Sequence, residues 1–356
     1  MIKKPLYKCN GKLDFFSEEN RTRLLEKLGN PLKKLEELIN FEAFRLQIEE
    51  VIIKKDRKSN AGARLYDPIL MLKILILQTY HCLSDEQTEY QIVDRQSFRD
   101  FLGLKSGDKV PDAKTIWWFR EILKNNELIE KFFVIFANHL ESKGFIYNKG
   151  QIIDSSFVEA PRQRNTREEN EKIKNGEGDT LWNDKPPKKC QKDIDARWTK
   201  KNNETYFGYK AHVKVDVESK LVTEYTITSA SVHDSQELSS LLTDTDANQE
   251  LYGDSAYGGK EHAKTIEDRN MINKVHEKGK RNCPLTEEQK AENKEKSKTR
   301  VRVEHVFGFM TNSMNSLYIR TKGIERAQCV IGLMNLTYNF FRYVQLTKIE
   351  AAKVVK

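Results

Sequence analysis

The sequence predicts an α/β domain, a three-strand antiparallel meander continued by parallel strands and flanked by helices, preceded by an all-α N-terminal domain. Three observations carry this. Apolar residues recur at helical spacing up to about residue 145. From Tyr206 to Val217 and from Leu221 to Thr228 they alternate strictly, as half-buried strands do. Two short apolar runs, Ile152-Ile153 and Leu251-Tyr252-Gly253, each lead into an aspartate and read as buried strands.

In the helical part, Ser17-Glu-Glu-Asn offers an N-cap for a helix carrying Leu24, Leu25 and Leu28. Asn30-Pro31 starts the next, because proline's missing N–H costs nothing in the first turn. Asp67-Pro68 repeats the device before Ile69–Tyr80, and Ser84-Asp-Glu-Gln87 reads as a capping box. Asp112 caps the helix with Trp117, Trp118 and Phe119, and a helix over about 126–143 stops at Gly144. Short helices joined by tight turns and bearing exposed bases suit a helix-turn-helix-like DNA-binding unit over 1–145. A ligand-free bundle would read the same way.

The period changes at Phe145. Residues of about 160–204 are polar, basic and proline-bearing, and are expected to be a long, partly disordered insertion. After the meander, Asp234-Ser-Gln-Glu237 should cap a helix through Leu242. A strand at 250–253, a helix at 259–269, a strand at 271–275, a region capped by Thr286 running through Glu304, and a helix at 324–346 follow. Residues 347–356 form a tail. Three meander strands and then helix, strand, helix, strand, helix is the order of the ribonuclease-H-like fold over 146–346. In that fold the fourth strand lies beside the first, which would make Asp154 and Asp254 neighbours.

Composition bounds the function. With 61 Lys+Arg against 53 Asp+Glu the net charge is +8, and the bases cluster, as a phosphate-binding face requires. Five cysteines are scattered with no CxxC pair, which argues against a disulfide framework or a cysteine-rich zinc site. The longest apolar run, Ile69–Leu77, is interrupted by Lys73 and too short to span a bilayer. A soluble cytoplasmic protein without a membrane partner is the expectation.

Candidate chemistry rests on Asp154, Asp254 and Glu304. Mg²⁺ prefers hard oxygen ligands and needs one or two carboxylates per ion beside substrate phosphate oxygens. A carboxylate bridging two ions lets one activate the attacking hydroxyl while the other stabilises the leaving oxygen. Asp154 suits the bridge, Asp254 one ion and Glu304 the other, with Mn²⁺ able to replace Mg²⁺. Arg300, four residues before Glu304, shares its helix face and would steady it or grip a phosphate. Each residue also has an ordinary explanation: a turn former at Asp154, a helix cap at Asp254, a surface ion pair at Glu304.

Further DNA-contact candidates are Arg302, Lys210, His212, Trp198 and Lys200, the last two in a segment where bases and tryptophans interleave. Asp216, on the polar face of its strand, should be solvated. Asp234 is explained as an N-cap.

At these motifs the chain resembles a DDE-type insertion-sequence transposase of the large bacterial family named after the fifth catalogued insertion sequence. Leu65-Tyr-Asp-Pro-Ile-Leu-Met-Leu-Lys, Phe98-Arg-Asp-Phe-Leu-Gly and Pro111-Asp-Ala-Lys-Thr resemble its N-terminal helical domain. Gln151-Ile-Ile-Asp-Ser-Ser, Phe207-Gly-Tyr-Lys-Ala-His, Val232-His-Asp-Ser, Tyr252-Gly-Asp-Ser-Ala-Tyr and Val303-Glu-His-Val-Phe-Gly resemble its catalytic blocks. The resemblance implies that Asp154, Asp254 and Glu304 are a metal-binding catalytic triad. It further implies binding of terminal inverted repeats, Mg²⁺-dependent end cleavage, strand transfer into double-stranded target DNA, and at least a homodimer on DNA. Where the family often has a tyrosine and a lysine around the third block, this chain has Ser297 and Thr311. The rival readings are a structure-specific endonuclease without strand transfer and a catalytically silent repressor derived from a transposase.

Overall fold

The computed structural model describes residues 15–53, 64–105, 107–201, 203–279, 283–315 and 317–354. Residues 13, 14 and 54–63 of the expected helical stretch, and 355–356 of the tail, lie outside them.

The N-terminal half is helical: α1 (Ser17–Leu28), α2 (Pro31–Leu38), α3 (Arg45–Ile52), α4 (Pro68–His81), α5 (Asp85–Asp94), α6 (Gln96–Leu102), α7 (Ala113–Asn125) and α8 (Leu128–Ser142). The caps explain the boundaries. Asn30 accepts from Leu32 N, Asp67 from Ile69 N and Leu70 N, Ser84 from Gln87 N, and Asp112 from Thr115 N. Ser17 is instead the first helical residue, after Phe16. Gly144 follows α8 at φ +73°, a left-handed conformation that glycine adopts without a Cβ penalty.

The sheet begins with β1 (Gly150–Glu159). The described residues of the insertion that follows are ordered, contrary to expectation. The insertion contains α9 (Arg167–Lys174), α10 (Pro186–Gln191) and β2 (Arg197–Lys201). Two devices hold it. Thr166 and Glu169 form a reciprocal capping box, and Ile173, Leu181 and Trp182 make a small core of their own. Glu169 also accepts from the Trp182 indole and from Lys188, so a segment of polar composition closes around one half-buried carboxylate.

Next come β3 (Glu204–Asp216), β4 (Val222–Ser229), α11 (Leu238–Leu241), β5 (Glu250–Tyr252), α12 (Lys260–Asp268), β6 (Ile272–Asn273), α13 (Glu287–Arg300), α14 (Glu304–Asn312) and α15 (Ile324–Val354). The order is β2-β3-β1-β5-β6, with β4 also on β3. β1 runs antiparallel to β3 and parallel to β5, so the 250–252 strand lies beside the first, as expected. The expected cap at Asp234 is replaced by His233, which caps a single 3₁₀ turn leading into α11. The tail is helical through Val354, as the end of α15.

Alternation along the strands divides the core. Ile152, Val158, Ala211, Val213 and Val215 join Leu35, Phe44, Leu75 and Phe132 of the N-terminal half and Leu336 and Phe340 of α15 in one continuous apolar cluster. The helical half therefore shares its core with the sheet. Ile153, on the opposite face, packs with Leu241, Leu251, Tyr257 and Ile266. That second face also buries polar groups, two of them as pairs: Lys214 meets Asp246 at 2.6 Å, and Gln151 donates to Gln249 at 2.8 Å. Asp216, expected to be solvated, is fully buried, its Oδ2 accepting from the Ser219 N–H and hydroxyl.

Candidate active site

Asp154 lies in the middle of β1 rather than at its end, opposite Val213. It stands two residues past the last β1–β5 pair, Ile152 with Tyr252, and Asp254 stands two residues past the same pair on β5. Parallel pairing thus carries both aspartates to one end of the shared ladder, although 100 residues separate them. Their charges feel one another: Asp254 is among the influences that raise the Asp154 carboxyl.

The environment of Asp154 is unusual for an aspartate. Burial pushes its carboxyl up to about 6, against the opposing pull of the Ser155 N–H and the Arg300 guanidinium. Oδ1 accepts from Ser155 N at 2.8 Å, and Oδ2 meets Arg300 Nη1 at 3.0 Å. Arg300 ends α13, and its Nε is buried without a partner among the described residues. Asp254 Oδ1 caps the 3₁₀ turn Ser255–Tyr257 by accepting from Ala256 N at 2.8 Å. The capping role and the position beside Asp154 therefore hold together at this residue.

Glu304 is the first residue of α14, separated from Arg300 by a 3₁₀ turn over Val301–Val303. Its side chain is exposed and makes no hydrogen bond or ion pair among the described residues. Arg300 steadies Asp154 rather than Glu304. Among the described residues no three His, Cys, Asp or Glu side chains converge to hold a metal ion. The two aspartates do fit one hard divalent cation. They offer carboxylate oxygens at one edge, and Asp154 is a buried acid beside a second acid, an arrangement that added positive charge relieves.

The expected DNA contacts divide. Lys200 is exposed on β2, and Trp198 is 43% exposed, its ring tilted against Phe207 and approached by Arg162. Arg302 donates to Val217 O at 2.9 Å, at the far end of the β1 ladder from Asp154. Lys210 and His212 must be withdrawn from a DNA-facing set. Lys210 is buried, with its ammonium committed to Asp234 at 2.8 Å and Val232 O at 2.5 Å. His212 is fully buried against Thr228 Oγ1 at 2.9 Å, and burial lowers its imidazole to about 4. Alternation alone placed both on the polar face of β3, but that face lies under the 232–246 segment.

Three neighbours of the aspartates were not among the candidate site residues, although Asp234 and Tyr257 lie within motifs that resemble the catalytic blocks. Asp234 is ion-paired to Lys210 at 2.8 Å, and that pairing, with a smaller pull from Ser155 next to Asp154, keeps its carboxyl below the ordinary value despite burial. Tyr257 is buried, and its hydroxyl is raised first by burial and then by Asp234, Asp154 and Asp254. His276 donates its backbone N–H to Gly253 O at 3.1 Å and faces Ser297 Oγ at 3.3 Å through its ring. Burial and the Arg300 charge lower its imidazole. The Val232-His-Asp-Ser motif was a usable signal for Asp234; a lone histidine in a loop gave none for His276.

Residues 148–340 match the family model described as "Transposase DDE domain", and residues 19–121 match one described as "Transposase domain (DUF772)". A solved structure, "Cryo-EM structure of piggyBac transposase synaptic complex with hairpin DNA (SNHP)", is similar over 91% of this chain and 76% of that one. It is 13% identical with a TM-score of 0.44, a likeness too loose to build on. The DDE-domain match alone spans more than half of the chain and contains both aspartates, Arg300 and Glu304, so the chain belongs to the DDE transposase family.

Proposed function

We propose that this transposase binds the terminal inverted repeats of its own insertion sequence, cleaves the DNA at their ends and transfers the freed strands into target DNA. The observation that carries the reading is the placement of Asp154 and Asp254 beside one another at the end of a parallel strand pair, one of them a buried acid raised to about 6. The strand order, an antiparallel β1-β3-β4 meander with β5 parallel against β1, supports a ribonuclease-H-like catalytic fold.

Transposase DDE domains use divalent metal ions, here proposed to be two Mg²⁺ with Mn²⁺ as a substitute, held by Asp154, Asp254 and Glu304. Bound there, they would supply a more acidic nucleophile and neutralise charge building on the phosphate. In hydrolysis the water oxygen bonds to phosphorus and the P–O3′ bond breaks, leaving a 3′-hydroxyl and a 5′-phosphate. In transfer that 3′ oxygen attacks a target phosphodiester and releases the target's own 3′ oxygen. Asp154 and Asp254 accept the positive charge at the ladder end. Arg300, once free of Asp154, presents a planar donor fork to a phosphate beside them. Trp198, Lys200 and Arg302 contribute DNA contacts farther out. Two ends must be held together, so the acting species is a homodimer or a larger synaptic complex. The described residues include no helix long and apolar enough to cross a membrane.

The test incubates the protein and Mg²⁺ with a labelled duplex carrying the element's end and a plasmid target. End cleavage plus a joined product, both abolished by Asp254→Ala, is the expected result. Cleavage of branched DNA without joining supports a nuclease instead. End binding with no metal-dependent product supports a silent repressor, and the separation of Glu304 from the aspartates is the one feature that favours it.

A further inference from the structure

β4 pairs only with β3, so its outer backbone edge is open to another strand. Antiparallel pairing decides which residues stand on that edge, because hydrogen-bonded and non-hydrogen-bonded pairs alternate. Ala230 N donates to Gly208 O, and in the same register Lys210 with Thr228, His212 with Thr226 and Lys214 with Glu224 are the hydrogen-bonded pairs. Tyr225 and Ile227 therefore turn their N–H and C=O groups away from β3, where they make no hydrogen bond among the described residues. At Val222 the edge is already closed: the Asn339 side chain of α15 takes its N–H at 2.9 Å and its C=O at 2.8 Å. Beside the open stretch lies a cavity of about 760 Å³ lined by β4, α8 and residues 237–246. Its acids are Glu127, Glu130, Glu141, Glu224, Glu237 and Asp246. Lys214, the base among the lining residues, is taken by Asp246, and the other five acids have no ion pair among the described residues. Burial pushes the Glu224 carboxyl up, as expected of an acid without a partner.

The two faces of β4 differ. Tyr225 and Ile227 side with the apolar cluster, the Tyr225 ring 5.0 Å from that of Phe133 on α8, and Val134 and Ala137 of α8 line the cavity there. Glu224 takes the opposite face, towards Glu237. A strand laid against β4 inherits these faces, with apolar residues opposite Tyr225 and Ile227 and the intervening residues among the acids. We propose that the β4 edge is a docking site for an extended segment of a partner protein in which lysine or arginine alternates with an apolar residue. The free backbone groups of Tyr225 and Ile227 supply the pairing, and the unpaired acids supply the charge. A second β4 edge is the wrong occupant, because two such grooves would bring like charges together. This surface is separate from the aspartate site and does not depend on the reading of its chemistry.

The probe is a fluorescent, end-blocked heptapeptide alternating lysine and valine, titrated with the full-length protein and read by anisotropy. Paired antiparallel to β4, its valines stand opposite Tyr225 and Ile227 and exchange the hydrogen bonds, while the lysine N–H groups face away. N-methylation of the valines should therefore weaken binding by roughly five- to a hundredfold, the worth of two hydrogen bonds. N-methylation of the inner lysines should leave it unchanged. The double variant Glu130→Gln with Glu224→Gln should weaken the parent peptide by roughly two- to twentyfold, with its urea unfolding midpoint checked against wild type. A peptide alternating glutamate and valine should not bind. Equal loss on methylating either residue type leaves charge as the whole source of binding and overturns the strand site. Unchanged binding by the double variant overturns it as well. So does failure of the parent peptide to bind, the acids then serving only to keep this edge from pairing. Sedimentation of the protein alone completes the test: a dimer that the peptide dissociates puts a second copy on the edge and overturns the partner segment.

Discussion

Replacing Asp154 by Asn should make the protein more stable near neutral pH. In the folded chain burial raises the Asp154 carboxyl from its ordinary 3.8 to about 6. A rise of about two pH units corresponds to ~3 kcal/mol by which the ionised form is disfavoured in the native state. The sign follows from linkage. The native state binds the proton more tightly, so the penalty is complete above the folded value, shrinks as pH falls through it, and vanishes below the unfolded one. Asn has the same shape and no charge at any pH. Its gain is reduced because Arg300, with a quarter of its side chain exposed, loses the 3.0 Å partner, a loss of about 1 kcal/mol for an ion pair open to solvent. The net expectation is about 2 kcal/mol of added stability near neutral pH, falling to none or to a slight deficit near pH 4. Urea unfolding of both proteins in EDTA at several pH values measures it. His81 and His212, each lowered to about 4 by burial, titrate across the same range but cancel in the difference. A variant less stable than wild type near neutral pH, or a pH-independent difference, would refute burial as the cause of the raised carboxyl.

Other perturbations test other parts of the fold. Lys214→Ala leaves Asp246 buried and unpaired and should cost about 3–5 kcal/mol in urea unfolding. Gly208 has φ +149°, and a Cβ there would lie 2.2 Å from Val158 O, so Gly208→Ala should break the β1–β3 ladder and abolish soluble expression or cooperative unfolding. Trp182→Ala removes the centre of the small core of the 160–204 insertion, and limited proteolysis should then cut within those residues while the sheet stays resistant. Wild-type stability should itself decline as pH falls from about 6.5 towards 4, because His81 and His212 are held neutral in the fold and take up protons only on unfolding, and the two together outweigh the opposite gain from protonating Asp154.

The sequence by itself determined most helix starts, the meander and the pairing of the two aspartates. These depend on information that is local or periodic. Asn30, Asp67, Ser84, Asp112 and Thr286 cap the helices they precede because a cap needs only a side-chain oxygen and the next turn's N–H groups. Strand order follows from where alternating and continuous apolar runs fall. Only the tertiary structure decided which polar groups face water. Lys210, His212 and Asp216 read as solvated or DNA-facing because alternation reports which face a side chain takes. It does not report whether another segment covers that face, and here residues 232–246 and the 217–221 turn do. The insertion read as disordered because its order comes from Glu169 gathering Trp182 and Lys188 across a loop, contacts no local period encodes. At the acidic trio, four-residue helical spacing predicted that Arg300 and Glu304 would act on one face. The 3₁₀ turn between them breaks that geometry, so Arg300 meets Asp154 while Glu304 faces solvent. The aspartates come together because hydrogen bonding between parallel strands fixes their register, whereas the glutamate depends on a helix junction whose geometry its sequence does not specify.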